Sequence, residues 1–264
     1  MRNFEYHLAS DVKAAEALLK AKDDGKLMAG GMTLLPTLKQ RLAAPSDVID
    51  LGGVAALKGI RKDGDAIVIG AMTRHYDVAN SDVVKAAIPA LAALAGQIGD
   101  PAVRHRGTIG GSLANSDPAA DYPGGCMGLG ATIVTTKRQI KADDYFLGLF
   151  ETALESDEII TEVRFPIPQK AAYMKFRHPA SGYAVVGVMV AKFADGVRVG
   201  VTGSGPCAFR ARDFEAALSK DFSAAAIEKV NLPAEGLLSD IHFSAEYRAH
   251  VTGVMARRAV AAAG

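Results

Sequence analysis

The sequence predicts an α+β protein of two domains. Strand and helix candidates come in runs, not in the regular alternation that a doubly wound sheet requires. A proline pair, Pro166 and Pro168, punctuates the chain past its middle. Beyond that pair, three strand candidates precede a mostly helical C-terminal third. At 264 residues the chain is long enough to bury two cores, and the proline pair sets the expected boundary: residues 1–167 and 168–264.

Taken in order, residues 11–22 have helical spacing, with Ser10 or Asp11 as N-cap. Residues 26–29 read as a short strand running into Gly30-Gly31, and 33–42 as a helix with Thr33 as cap and Pro36 in the first turn. Short apolar strands follow at 48–51 and 66–69. Residues 83–98 form a largely apolar helix, kinked or started near Pro89. Residues 131–136 and 159–165 are rich in β-branched positions and read as strands. In the second domain the strands are 172–177, 184–193 and 197–202, with a turn at Ala194-Asp195-Gly196. Helices are expected at 212–219, 223–230 and 245–263.

Composition excludes several classes of function. A formal net charge of +1, with dispersed Lys and Arg, leaves no basic stripe for nucleic acid or an anionic membrane surface. No apolar run is long enough to span a membrane, and the N-terminus lacks a leader-like apolar segment, so a cytoplasmic protein is expected. Cys126 and Cys207 stand far apart without a CxxC partner, which rules out an iron–sulfur or structural zinc site made by this chain alone. His75 and His178 lack metal-ligand spacing, so no metal is assigned, and His105 reads as part of a charged loop. The absence of Trp argues against a carbohydrate or base-stacking surface. Redox chemistry, if present, therefore needs an organic cofactor.

Two glycine-rich segments stand out. Ala29-Gly30-Gly31-Met32-Thr33 joins a strand to a helix, where glycines admit a phosphate closely and free N–H groups point at an anion. Thr108-Ile109-Gly110-Gly111-Ser112, continuing to Asp121, is rich in small polar residues. Neither matches GxGxxG or GxxxxGK[ST], so neither a Rossmann site nor a P-loop is supported. Each alone reads equally well as a turn or surface loop; two in one chain suit the two phosphates of a dinucleotide.

AGGMTLLPTLKQRL and TIGGSLANSDPAADYP resemble the two FAD motifs of the flavoprotein (medium) subunit of molybdenum hydroxylases, the xanthine dehydrogenase family. The likeness is greatest to medium subunits of the aerobic carbon monoxide dehydrogenase type. It extends through IDLGGVAALKGI, IGAMTRH and KFRHPASGYAVVGV, and so spans most of the chain. The resemblance implies a two-part FAD-binding domain of PCMH/VAO type, with parts of about 1–55 and 56–167. A smaller C-terminal domain with a three-stranded antiparallel sheet and helices would follow.

By the same resemblance, backbone N–H groups of Ala29, Gly30, Gly31, Met32 and Thr33, and of Thr108, Ile109, Gly110, Gly111 and Ser112, hold the FAD pyrophosphate. Thr33 stands where the family has Ser, and Ser112 where it has Asn or Asp. Asp121 matches an aspartate that hydrogen-bonds the cofactor; read alone, it is a helix cap. Ile160 and Lys175 match a flavin-pocket aliphatic and a flavin-pocket lysine, whose cation would stabilise reduced flavin; Lys175 read alone is a solvated strand charge. Tyr183 is a candidate to pack on the isoalloxazine ring, and otherwise a core tyrosine. Gly124, Gly125, Gly128 and Gly130 replace the apolar helix usual after the second motif, implying a looser stretch or close packing by a partner. Cys126 among them reads as an apolar filler.

No catalytic acid–base pair is evident in the chain. The function implied is electron transfer: from iron–sulfur clusters of a small subunit, through FAD, to an external acceptor, with a large subunit carrying the molybdenum cofactor. The assembly implied is a dimer of heterotrimers. A stand-alone FAD-dependent NAD(P)H reductase and a non-catalytic flavin-binding module remain as alternatives.

Overall fold

A computed structural model describes all residues, 1–264. The chain begins with β1 (Glu5–Leu8), α1 (Val12–Ala21), β2 (Gly25–Met28), α2 (Leu34–Lys39) and β3 (Asp47–Asp50). The three strands pair in parallel in the order β1-β3-β2. Strand β3 takes the centre because Val48 and Ile49 are apolar and fully buried, while the exposed sequence EYHL suits β1 to an edge. That exposed pattern is why β1 carries no strand signal in the sequence. Asp11 caps α1 as expected, accepting the Ala14 N–H at 2.8 Å.

The second part holds β4 (Ile60–Asp63), β5 (Ala66–Gly70), α3 (His75–Asn80), α4 (Asp82–Ala87), α5 (Pro89–Gly96), α6 (Pro101–Arg106), α7 (Ile109–Asn115) and α8 (Asp121–Leu129). It continues with β6 (Thr132–Thr135), β7 (Gln139–Lys141), a hairpin of β8 (Phe146–Gly148) and β9 (Glu151–Thr152), and β10 (Ile160–Pro166). A five-stranded antiparallel sheet runs β4-β5-β10-β6-β7. The apolar helix expected over 83–98 breaks into α4 and α5. Pro89 has no N–H and drives Ile88 out of the helical region, to φ −140° and ψ 71°.

The last part comprises β11 (Lys170–Arg177), β12 (Ala184–Phe193), β13 (Gly196–Thr202), β14 (Phe209–Arg210), α9 (Arg212–Lys220) and α10 (Ala245–Ala263). Its antiparallel sheet has four strands, not three; β14 adds a two-residue edge at Val201 and Gly200. Residues 223–230 form one 3-10 turn, Ala225–Ile227, and not the expected helix. Ile227 is fully buried there and anchors the turn, and Asn231 and Pro233 follow too closely for a longer helix.

Alternation along the strands gives this sheet two apolar faces. Val186, Val188 and Val190 with Val199 and Val201 pack under α9 and α10. The opposite face turns toward α8, and Tyr173, Met189 and Ala191 join the main core of the second part. Helix α8 is not loose: all nine of its residues are buried. Gly124 and Gly128 meet the chain's own sheet and Gly125 meets Leu94 of α5, with no partner required. A Cβ on Gly200 would lie 2.2 Å from the Gly124 oxygen and 2.2 Å from the Gly128 nitrogen, so helix and strand touch backbone to backbone. Burial pushes the Cys126 thiol up, which fits an inert filler.

Candidate cofactor site

The first glycine loop leaves the end of β2. Gly31 turns the chain at φ +74°, a conformation that favours glycine, and α2 begins three residues later at Leu34. No acceptor in the chain takes the N–H groups of Gly30, Gly31, Met32 or Thr33. Thr33 precedes α2 but makes no capping hydrogen bond, so the expected cap is absent and its hydroxyl stays free of the helix. Four consecutive unengaged donors are the chemistry that a diphosphate requires.

The second segment is not a loop but a helix start. Thr108 caps α7, its hydroxyl accepting the Gly111 N–H at 3.2 Å. The Ile109 N–H bonds to the Thr73 oxygen at 3.1 Å, and the Gly110 N–H to the Ala71 oxygen at 2.8 Å. The donor role expected of Ile109 and Gly110 is thus filled within the chain. What this segment offers a ligand is close approach, the Thr108 backbone and the Ser112 side chain, which makes no hydrogen bond within the chain.

The two glycine motifs, far apart in sequence, abut in space. A Cβ on Gly30 would lie 2.0 Å from the Arg106 carbonyl oxygen and 2.9 Å from the Gly107 Cα; on Gly111 it would come 3.3 Å from the Ala29 Cβ. The segment of unengaged N–H groups therefore lies against a segment of small residues, and a dinucleotide pyrophosphate fits the donor set. His75 fills the space behind Gly107, where a Cβ would lie 2.5 Å from its Nε2. Burial, reinforced by the Arg104 charge, lowers the His75 pKa to about 4 and keeps the ring neutral. His105 lies in helix α6, not a loop, and stacks on Tyr76 at 4.1 Å. No group of His, Cys, Asp and Glu forms a metal centre.

Helix α7 leads to Asp121, the first residue of α8. Its carboxylate does not cap the helix. One oxygen accepts the Tyr173 hydroxyl at 2.6 Å and the other the Lys175 ammonium at 2.9 Å. The ammonium also donates to the Gln97 oxygen at 3.2 Å. Lys175 is no solvated charge: its side chain has 0% exposure. Burial pushes the Asp121 carboxyl up and the Lys175 ammonium down, each opposed by the other's charge. Asp121 and Lys175 are thus partnered to each other, at the junction of α8 and β11. Ile160 is also buried, within the core beneath the sheet. Tyr183 differs from all three. It is 49% exposed, in the turn between β11 and β12, and free to cover a ligand.

Sequence reasoning missed Tyr173 and Gln97. The signal for Tyr173 was its two-residue offset from Lys175 on one strand, which places both on the same face. Gln97 contributes a backbone oxygen and left no signal.

The model of the FAD binding domain in molybdopterin dehydrogenase matches residues 2–168. This chain belongs to that family. The carbon monoxide dehydrogenase medium chain of Hydrogenophaga pseudoflava is 36% identical over 98% of this chain and 96% of its own. The nicotine 6-hydroxylase medium subunit of Paenarthrobacter nicotinovorans is also 36% identical, over 98% and 96%. Carbon monoxide dehydrogenase from Oligotropha carboxidovorans superposes with a TM-score of 0.91 at 34% identity, covering 99% of this chain and 98% of that one. The chain is thus an FAD-binding oxidoreductase subunit of the molybdenum hydroxylase type, related throughout its length to medium subunits of multi-subunit complexes. No helix is long and apolar enough to cross a membrane.

Proposed function

We propose that the chain binds FAD between its two glycine motifs and carries electrons from a partner's iron–sulfur clusters to an external acceptor. The observation that carries the site is the contact of Gly30 with Arg106 and Gly107, which sets four unengaged N–H groups opposite the start of α7. Ala29, Gly30, Gly31, Met32 and Thr33 hold the pyrophosphate by donation. Thr108, Ile109, Gly110, Gly111 and Ser112 shape the opposite wall, and Tyr183 shields the ring. Asp121 hydrogen-bonds the cofactor, and Ile160 and Lys175 line the flavin pocket. When bound, FAD supplies a centre that accepts electrons singly and releases them as a pair.

The chain itself binds, orients and shields; nothing in it resembles a substrate-activating acid–base pair. Relatives named for carbon monoxide and for nicotine are equally similar to it, which supports placing substrate choice in a molybdenum-carrying large subunit. The assembly proposed is a dimer of heterotrimers with that subunit and a two-iron two-sulfur small subunit, located in the cytoplasm. The family model's end at residue 168 supports a division of the chain there.

Purification of the chain from its native host, read by absorbance and mass spectrometry, tests this reading. Co-purification of FAD with a molybdenum subunit and an iron–sulfur subunit is expected. A chain that emerges alone and reduces its FAD with NADH refutes the partner assignment. One that stays colourless with added FAD refutes the site.

A further inference from the structure

Residues 178–183 join β11 to β12. A hairpin loop of this length keeps one conformation only if it makes hydrogen bonds of its own. The His178 N–H donates to the Tyr183 oxygen at 2.8 Å and the Gly182 N–H to the His178 oxygen at 2.9 Å, with Gly182 turning the chain at φ +72°. Pro179 has no N–H, and the next two amides converge on a side chain. Ala180 and Ser181 both donate to His178 Nδ1, at 3.2 and 3.3 Å. Ser181 Oγ then accepts the Tyr183 N–H at 3.3 Å. A ring nitrogen that accepts leaves the imidazole proton on Nε2.

The same device stands across from it. Asp240 Oδ1 accepts the His242 and Phe243 N–H groups at 2.8 and 2.9 Å, two and three residues ahead, the pattern by which short polar side chains fix turns. His178 does with a ring nitrogen what Asp240 does with a carboxylate oxygen. The two turns pack together: the His178 ring lies edge-on to His242 at 5.5 Å and to Phe243 at 5.8 Å. Arg248 anchors the Asp240 turn at 2.6 Å and donates onward to the Val185 and Gly203 oxygens, each at 2.8 Å. At the other end of the hairpin the Ala184 N–H reaches the Ala119 oxygen at 3.3 Å, and the Gly203 N–H reaches the Pro118 oxygen at 2.7 Å. Pro118 and Ala119 follow α7, the helix that the second glycine motif begins.

We infer that His178 is the positioning residue for Tyr183: its Nδ1 gathers the Ala180 and Ser181 amides and so holds the exposed phenol in one place, past the far end of α7, before any ligand arrives. A side chain ordered in advance loses less entropy when it covers a ligand. That the ligand is the flavin ring rests on the FAD site proposed above; the ordering of the turn does not.

The test separates the acceptor from the ring. His178→Phe keeps an aromatic ring against Phe243 but offers no acceptor, His178→Asn keeps an acceptor two bonds from Cβ but no ring, and His178→Ala keeps neither. Amide exchange in the full chain without FAD, followed residue by residue by NMR, is expected to quicken about fivefold at Ala180 and Ser181 in the Ala and Phe variants. The Asn variant is expected to restore wild-type rates, and β12 and β13 to stay protected in all three. Unchanged rates in His178→Ala overturn the inference, as does an Asn variant as fast as the Ala variant, since ring packing would then be what holds the turn. With FAD bound, the Ala and Phe variants are expected to brighten flavin fluorescence toward the Tyr183→Ala level while the Asn variant stays at wild type. Quickened amides with unaltered flavin fluorescence overturn the role of Tyr183 as the flavin's cover and leave His178 as the holder of the turn. A wild-type chain that takes up no FAD overturns the FAD site, and the amide rates still decide for or against His178.

Discussion

Replacing Gly30 with alanine tests the site at its most constrained point. The residue does not occupy a positive-φ conformation, so the effect is purely one of space. The new Cβ would sit 2.0 Å from the Arg106 oxygen and 2.6 Å from its carbonyl carbon, whereas ordinary contact begins at 3.4 Å. Backbone lies on both sides, and no side chain can swing away. The two motifs must therefore part by about 1.4 Å, the difference between those two distances. Overpacking of this kind costs about 1–3 kcal/mol of stability, and a hydrogen bond to a charged group is worth about 1.5–3 kcal/mol. Loss of one N–H from the pyrophosphate then weakens FAD binding by about 10–150-fold. Calorimetric or fluorescence titration of the full chain with FAD, beside thermal melts, measures both effects. A folded Gly30→Ala chain with wild-type FAD affinity would refute the placement of the cofactor between the motifs.

Gly111→Ala is the matched control. Its Cβ would meet the Thr108 hydroxyl at 3.1 Å and the Ala29 Cβ at 3.3 Å, and alanine favours a helix over glycine by about 1 kcal/mol, so a melting temperature at or slightly above wild type is expected. Gly200→Ala drives a Cβ into the α8 backbone and should cost about 1–3 kcal/mol, read as a lower urea midpoint with or without FAD. His75 makes stability fall with acid. With a folded pKa of about 4 against about 6.5 unfolded, its contribution is complete above pH 6.5 and is lost as the pH falls toward 4. The loss is about 3 kcal/mol, and denaturant midpoints of His75→Gln should flatten over that interval. Tyr183→Ala, at a half-exposed turn, should leave the melting temperature unchanged while making bound FAD more fluorescent, since an aromatic cover quenches the ring.

The elements legible in the sequence are those whose burial patterns are simple. Strands β12 and β13 showed because runs of valine fill one face, and α10 because its long run of helix-forming residues holds no proline. The glycine motifs were legible as a cofactor site, but the division of labour between them was not. Whether the Gly110 N–H is free depends on Ala71, a residue of the strand end that folding brings beside it. The same holds for Lys175, an ordinary strand lysine until Tyr173 and Asp121 close around it. The glycine-rich run at 124–130 misled for a related reason. Helix propensity disfavours it, yet contact with Gly200 and Met189 requires it, and packing prevails over propensity.

The glycine contact between α8 and β13 also determines how the molecule can be taken apart. The boundary suggested by Pro166 and Pro168 is a seam in the sequence but not in the core, because Tyr173, Met189 and Ala191 from beyond it fill the same interior as Leu94, Tyr122 and Leu129. A fragment truncated after residue 168 would bare a helix whose glycines have no side chains to shield it. A minimal flavin-binding fragment must therefore keep the second sheet. For the same reason, a force that tilts that sheet reaches the Asp117–Asp121 turn directly, because the helix and sheet backbones meet with no compliant side chain between them.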